Sequence, residues 1–415
     1  MAGTLQILVN LRNLTCIPVA ALVIAGCKST PPVVFETWAP KSTPFVAESS
    51  SGNAFDGYVL AAKATEDVAK EFVSRVSFTP KMREDAMAAV APALRTVANA
   101  TQKPCKFYFV AYGPFEAPPY RRGWRLIGRV LAWRIDFACL NAQWDDAIGA
   151  IGIATTFGMD LSGGSVMDAT IGWAIVKDAC ERIVPYLDQL TAQQLTRLSK
   201  VTTYALKRRP KSDQVLANEE QNMMVAVQTI QDAFLKHDWE GLSDRLGGNI
   251  QPAIDYLKKM SSGELSKAPA YFAGFAAEAR TEVQWMERIM NLPAAERNEL
   301  KHPELAPSRP WQRFARHFFQ TGQVFLTELD ESLAKMRLLA IEAHVRAQIK
   351  VNGAAPKSLA GINPELITDP YSGKSLIYRA EGRDYRLYSV GANLTDNGGL
   401  SNASGLEPDL VLQSQ

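Results

Sequence analysis

The chain has 415 residues, 47% of them hydrophobic and 21% charged, proportions that exclude a disordered or collagen-like polymer and supply enough apolar surface for a sizeable core. Lys and Arg number 45 against 43 Asp and Glu, a formal net charge of +2; neutralising phosphates takes a basic stripe, so no nucleic-acid partner is expected. At about 100 to 200 residues per domain, the length corresponds to two or three folding units.

Arg12 precedes a mostly apolar run, Leu14 to Ala25, that closes on Ile24-Ala25-Gly26-Cys27. The run is too short to cross a bilayer, which takes about 20 apolar residues. It resembles a bacterial lipoprotein signal peptide. The small residues 25 and 26 suit a peptidase groove, and the Cys27 thiol is the nucleophile that accepts a diacylglycerol. The resemblance implies removal of residues 1–26, lipid on Cys27, and a cell-envelope location in which the membrane is a partner through the anchor. Lys28, where an Asp would favour the inner membrane, leans towards the outer membrane or its periplasmic face. An ordinary secretory signal with an accidental cysteine is the alternative. Of the five cysteines, Cys105, Cys139 and Cys180 then remain. They allow one disulfide at most, and Cys139 and Cys180 lie in apolar helical patterns that suit small buried hydrophobes.

Residues 27–53 read as the lipidated cysteine and a Ser/Thr/Pro-rich flexible tether, holding the folded part about 25 to 30 Å from the membrane. Residues 54–305 read as a helical array. A helix is predicted from about Ala54 to Val76. A second opens at Thr79-Pro80, a cap residue with proline at the first helical position, and runs to about Asn99. Cys105 to Tyr112 is β-prone and reads as a strand or a buried extended connection. After Pro118-Pro119, Leu126, Val130, Trp133, Phe137 and Leu140 form one apolar stripe, with Ile127, Leu131 and Ala138 beside it, which predicts a helix packed on two sides. Trp144-Asp-Asp-Ala-Ile148 restarts a helix at once, giving an αα-hairpin. Further helices are predicted over about 165–187, 191–207, 213–236 and 271–290. The hairpins are tetratricopeptide-like, but no period of about 34 residues emerges, so the expectation is an irregular α-array.

Residues 306–415 read as a long helix plus a small α+β module. Leu329, Leu333, Met336, Ala340, Ala343 and Ala347 form one apolar row, and Leu338, Ile341, Val345 and Ile349 a second, until Asn352-Gly353 stops the helix. Ser375 to Arg379 and Tyr385 to Val390 alternate as strands joined by Glu381-Gly382-Arg383.

The motifs D-P-Y-S-G-K-S-L-I-Y-R, Y-R-L-Y-S-V-G-A-N and D-N-G-G in this last part resemble the C-terminal globular half of the major pseudopilins of type II secretion systems. They are similar also to the end of a group of exported planctomycete-type proteins with helical bodies. The resemblance covers about residues 320–415. It implies a helix leading through an Asp-Pro turn into two antiparallel strands and an acidic Gly-rich loop. Pseudopilins begin with a Gly cleavage site and a long apolar assembly helix, whereas this chain has Cys27 and a helical body, so a filament subunit is not expected. The terminal loop of those pseudopilins resembles a calcium site; the matching residues here are Asn393, Asp396, Asn397 and Asp409. Calcium takes six to eight oxygens, favourably carboxylates, so the two Asn lower the expected affinity. The readings are a weak calcium site on Asn393, Asp396 and Asp409, or a plain Asx-rich turn with no cofactor.

Catalytic signals are sparse. The four histidines include His317, among Arg313, Arg316 and Phe318, and His344, beside Arg337 between the two apolar rows; none has a second ligand at helical spacing. Glu278 and Glu282, four apart on one helical face, have the spacing of a metal-binding carboxylate pair, but no Glu-x-x-His accompanies them and a solvated face is expected. G-M-D-L-S-G-G-S at 158–165 lacks the Lys-Ser/Thr of a phosphate loop and reads as a helix-to-helix turn, and no G-x-S-x-G occurs. Aromatics gather at Phe107, Tyr120, Trp124 and Trp133, and again at Phe272, Phe275 and Trp285, as core or as lining of a concave partner-binding face. Two functions follow: a non-enzymatic exported lipoprotein with an unknown protein partner, serving as an envelope or secretion-associated scaffold, or a periplasmic, hydrolase-like enzyme whose site assembles only in three dimensions.

Overall fold

Threonine and serine caps start several helices where the sequence places them. In the computed structural model, which describes residues 33–38, 46–72, 77–108, 118–246, 251–302, 321–400 and 409–412, Thr79 accepts a hydrogen bond from the Met82 N–H and opens α3 (Pro80–Ala100). Ser165 and Thr191 close capping boxes with Asp168 and Gln194 at the starts of α6 (Val166–Ile183) and α7 (Ala192–Leu206), satisfying N–H groups that have no partner inside the helix. Cys27, the signal peptide and His317 lie outside the described residues.

The helix predicted over 54–76 is two helices, α1 (Ala54–Ala64) and α2 (Glu66–Phe72). The Thr65 hydroxyl donates to the Ala62 carbonyl at 2.9 Å, a side-chain competitor for the backbone ladder at the break. Helices α4 (Tyr120–Leu140) and α5 (Trp144–Leu161) form the expected hairpin through a turn at Ala142, whose φ is +53°. The apolar stripe of α4 is buried only in part. Leu126, Val130 and Trp133 are in the core, while Phe137 is 53% and Leu140 74% exposed, a correction to the fully packed stripe expected. Of the segment 105–112, residues 105–108 belong to no helix or strand and are half-buried or exposed, and 109–112 lie outside the described residues.

Helices α5 and α6 cross at Gly158 and Gly172, where a Cβ on either residue would meet the other's carbonyl oxygen. The 158–165 segment makes the turn between them, as expected, with Ser162 capping α5. Then follow α8 (Ser212–Lys236), α9 (Trp239–Leu246), α10 (Gln251–Gly263), α11 (Ala268–Met290) and α12 (Ala294–Glu299); α9, α10 and α12 have no counterpart in the sequence reading. Among the described residues no helix is long and apolar enough to cross a membrane.

The two apolar rows of α13 (Thr321–Asn352) serve two cores. Leu329, Leu333, Met336, Ala343 and Ala347 join the main core with α6 and α7, while Leu338, Ile341 and Val345 underlie Leu376 and Leu387 of the C-terminal module. A single helix thus belongs to the array and to the module, and Glu36–Gln415 is one compact unit. After α14 (Pro364–Ile367), β1 (Ile377–Glu381) and β2 (Asp384–Tyr388) pair antiparallel, Tyr378 opposite Leu387 and Arg379 opposite Arg386. Isolated bridges at Thr368–Ser375 and Ser389–Leu410 extend the pairing on both sides. The chain is mainly helical with a small two-stranded antiparallel sheet.

Candidate functional site: a charged groove and three buried ionic centres

Asp369 of the Asp-Pro turn organises the module. Its carboxylate is buried and accepts from the Tyr371 and Val390 N–H groups and from the Ser372 and Ser389 hydroxyls at 2.8–3.2 Å. This ties the turn before β1 to the end of β2. On the hairpin itself, Arg379 and Arg386 face each other across the strands, an arrangement unfavourable for like charges unless acceptors intervene. Arg379 donates to Asp396 at 3.2 Å and Arg386 to the Gly398 carbonyl at 3.0 Å. The acidic Gly-rich loop is therefore clasped by the cationic pair.

That loop contains the residues expected for calcium. Asp396 Oδ1 accepts from the Tyr388 hydroxyl at 2.7 Å and from the Gly398 N–H at 2.9 Å; these bonds and the nearby Arg379 hold its carboxyl below the usual carboxylate range. Burial and the same Asp396 contact push the Tyr388 phenol up to about 12. Asp409, buried, accepts from the Asn397 and Gly399 N–H groups at 3.2 and 2.7 Å. Asn393 accepts from the Thr395 N–H at 2.9 Å and donates to the Asn397 side chain at 2.9 Å. Asn393, Asp396 and Asp409 are thus brought close together, and their oxygens accept from the chain's own donors, a guanidinium among them. Among the described residues no group of three His, Cys, Asp or Glu side chains converges as a metal would require. The Thr395 N–H to Asn393 and Gly398 N–H to Asp396 bonds, each two residues apart, form Asx-type turns.

Beside the hairpin lies a cavity of about 720 Å³ between α13, the strands and residues 411–412. Leu338, Leu387 and Leu412 supply apolar lining, and Arg346, Arg383 and Asp384 charge of both signs. Glu342 is fixed on its wall, accepting from the Tyr385 hydroxyl at 2.6 Å and from Arg346 at 2.7 Å. Arg346 also pairs with Asp188.

Among the described residues, three further ionic centres lie deep in the fold, and the sequence reading names none of them. Asp160, at the end of α5, accepts from the Tyr58 hydroxyl at 2.6 Å and from Arg208 through both oxygens at 2.9 and 2.6 Å, while Arg208 also donates to the Lys103 carbonyl. Burial raises the Asp160 carboxyl against the pull of these partners. Asp168, the capping-box acid of α6, also takes Arg121 at 2.6 Å. Arg297 pairs with Asp330 of α13 in a third buried contact; burial lifts Asp330 to about 6, against the pull of Arg297. The signal in sequence was slight: Asp160 lies within the 158–165 segment and Asp168 three residues beyond it, positions a solvated turn would fill equally well.

Glu278 and Glu282 correct the sequence reading. They are 8% and 6% exposed rather than solvated, because their face of α11 is covered. Glu282 Oε2 meets His302 Nε2 at 3.0 Å, and Trp285 packs edge-on to the same imidazole at 5.2 Å. Burial raises the Glu282 carboxyl, and its Oε1 is buried without a hydrogen-bond partner among the described residues. His344 is half-buried, and His237 caps α8 with a left-handed φ of +56°. Cys105, Cys139 and Cys180 are free thiols. Cys139 and Cys180 are buried as expected, and burial pushes them up to about 11 and about 12.

Comparison of the chain with family models, with curated proteins and with solved structures finds no match.

Proposed function

We propose that this chain is an exported lipoprotein, anchored through Cys27 on the outer membrane or its periplasmic face, that acts as a non-enzymatic interaction scaffold of the cell envelope. The observation that carries the reading is the C-terminal groove: a lining that mixes leucine side chains with charges of both signs suits a polypeptide partner better than a small neutral substrate. The helix, Asp-Pro turn, hairpin and clasped loop support the likeness to the pseudopilin globular half, here set on a helical body in place of a filament-forming helix. The irregular helical array supports a body built for contacts.

The test places a photo-crosslinking side chain at Arg383 in cells, followed by recovery from membranes. A discrete crosslinked protein that disappears with Asp384→Lys is expected; uniform labelling of bulk protein overturns the reading. The address is tested separately by acyl labelling, which is expected to be lost with Cys27→Ser and whose persistence removes the anchor. A second reading, a periplasmic hydrolase-like enzyme, is favoured by one observation, buried Glu282 paired with the exposed His302 and keeping one carboxylate oxygen that has no hydrogen-bond partner among the described residues, a composition suited to acid–base work. Ester or peptide hydrolysis by the purified chain that is lost with Glu282→Gln would establish it in place of the scaffold.

A further inference from the structure

The segment after Cys27 has the composition of a flexible tether, yet part of it has a built seat. The Trp38 backbone N–H donates to Gln228 Oε1 at 2.8 Å, the Trp38 indole N–H donates to Gln231 Oε1 at 3.2 Å, and Gln231 Nε2 donates back to the Glu36 carbonyl at 2.8 Å. The guanidinium of Arg280, on α11, lies over the Trp38 ring at 5.9 Å, within cation–π range. Gln228 and Gln231 are one helical turn apart on α8 and therefore share a face. Gln231 is only 2% exposed, and Val227, Ile230 and Phe234, near it along α8, are buried as well. A primary amide in such an apolar setting costs stability unless both its ends are bonded; here the Glu36–Trp38 segment satisfies both. A second fixed point follows, where Asp56 accepts from the Glu48 N–H and the Ser51 hydroxyl at 3.0 and 2.9 Å.

We infer that Glu36–Trp38 is a strap that binds the anchored N-terminal chain to the α8–α11 pair and makes this pair the face of the helical body nearest the bilayer. The inference rests on lipidation at Cys27. Lys28 to Phe35 then form the whole linker, which reaches about 30 Å when fully extended and about 16 Å on average if flexible. The tether expected from composition had some three times as many residues. A linker this short couples the strap's position to the membrane, whereas one running to Asn53 would leave the body free to turn.

The full acylated chain in phospholipid vesicles carrying nitroxide headgroups tests this, with a fluorophore on Leu235→Cys, an exposed position of α8 one turn beyond Gln231. In the otherwise unaltered chain, the backbone amide at position 38 is expected to exchange hydrogen at least about tenfold more slowly than in the Trp38→Ala and Gln231→Ala variants, and the 235 probe to be quenched more strongly than in either. Trp38→Ala changes only the strap, so it remains informative where Gln231→Ala perturbs α8. Fast exchange at Trp38 in the parent removes the strap. Slow exchange with equal quenching in parent and Trp38→Ala removes the membrane-facing assignment. Absence of acyl label on Cys27 overturns the anchor and with it that assignment, while the exchange result still decides the strap.

Discussion

Asp160 in the helical body and Asp396 in the C-terminal loop hold the same three-part arrangement in different surroundings. Each accepts a tyrosine hydroxyl, from Tyr58 at 2.6 Å and from Tyr388 at 2.7 Å. Each is bound by an arginine, Arg208 through both oxygens and Arg379 through one. Asp160 is 4% exposed, however, while the Asp396 side chain is 39% exposed. Burial therefore raises the first carboxyl, whereas the hydrogen bonds of the second lower it. Removing one member inside leaves the others charged and dry; removing one outside lets water replace it. The environment, more than the number of contacts, decides how much structural weight such a triad bears.

The largest effect is expected at Asp160→Ala, which strands the Arg208 guanidinium and the Tyr58 hydroxyl. A loss of about 3 to 5 kcal/mol in urea unfolding is expected. A loss under about 1 kcal/mol would mean that the centre is wet, and the contrast with Asp396 would collapse.

Asp330 offers a pH test of the same contrast. Its folded value, about 6, lies above the unfolded value of about 3.9, so the folded state binds the proton more tightly between these two values. The stabilisation from this group is fully present below about pH 4 and is lost as pH rises to about 6, with a size on the order of 3 kcal/mol. Asp330→Asn is expected to flatten this part of the stability–pH curve, measured by thermal unfolding from pH 4 to 7. Asp396 has the opposite sign, because its folded value is lowered: its small contribution is present above the unfolded value and fades as pH falls through the folded one.

The helical class and several boundaries were legible because they depend on local chemistry. Thr79-Pro80, Ser165 and Thr191 announce helix starts, and the two rows of α13 announce two buried faces. The Tyr58–Asp160–Arg208 centre was not legible, since its members lie 102 and 48 residues apart and a local pattern names a face without naming what covers it. Glu278 and Glu282 failed for the same reason: their spacing places them on one side of α11, and only the fold makes that side interior. The exposed Phe137 and Leu140 are the converse, the end of an apolar stripe on a face the fold leaves uncovered while Ala138 and Cys139 beside them are buried. Asn393, Asp396 and Asp409 come close together in the fold, and residue type alone does not reveal which of the chain's donors their oxygens meet.

Thiol chemistry gives a smaller, clean effect. Cys180 and Cys139, pushed up to about 12 and about 11 by burial, are expected to react with a maleimide only on unfolding. Labelling of either in the native chain at neutral pH would show that the core around α4 and α6 opens.

The smallest effect is expected at Asp396→Asn, about 0 to 1 kcal/mol, because an exposed ion pair gains little over its hydrated partners. The variant nonetheless sharpens the loop's role. In the parent, Asp396 accepts from the Gly398 N–H while Asp409 accepts from those of Asn397 and Gly399, so two carboxylates hold three consecutive amides. The substituted amide side chain keeps an acceptor but loses the charge that retains Arg379, and exchange at Gly398 is expected to quicken while the global unfolding midpoint holds. Calcium separates the two readings of this loop. If the chain's own donors suffice, millimolar calcium moves the midpoint by less than about 1 °C in parent and in Asp409→Asn alike. A rise in the parent that vanishes in Asp409→Asn would mean that the ion displaces those N–H groups, since a ligand stabilises only through tighter binding to the folded state.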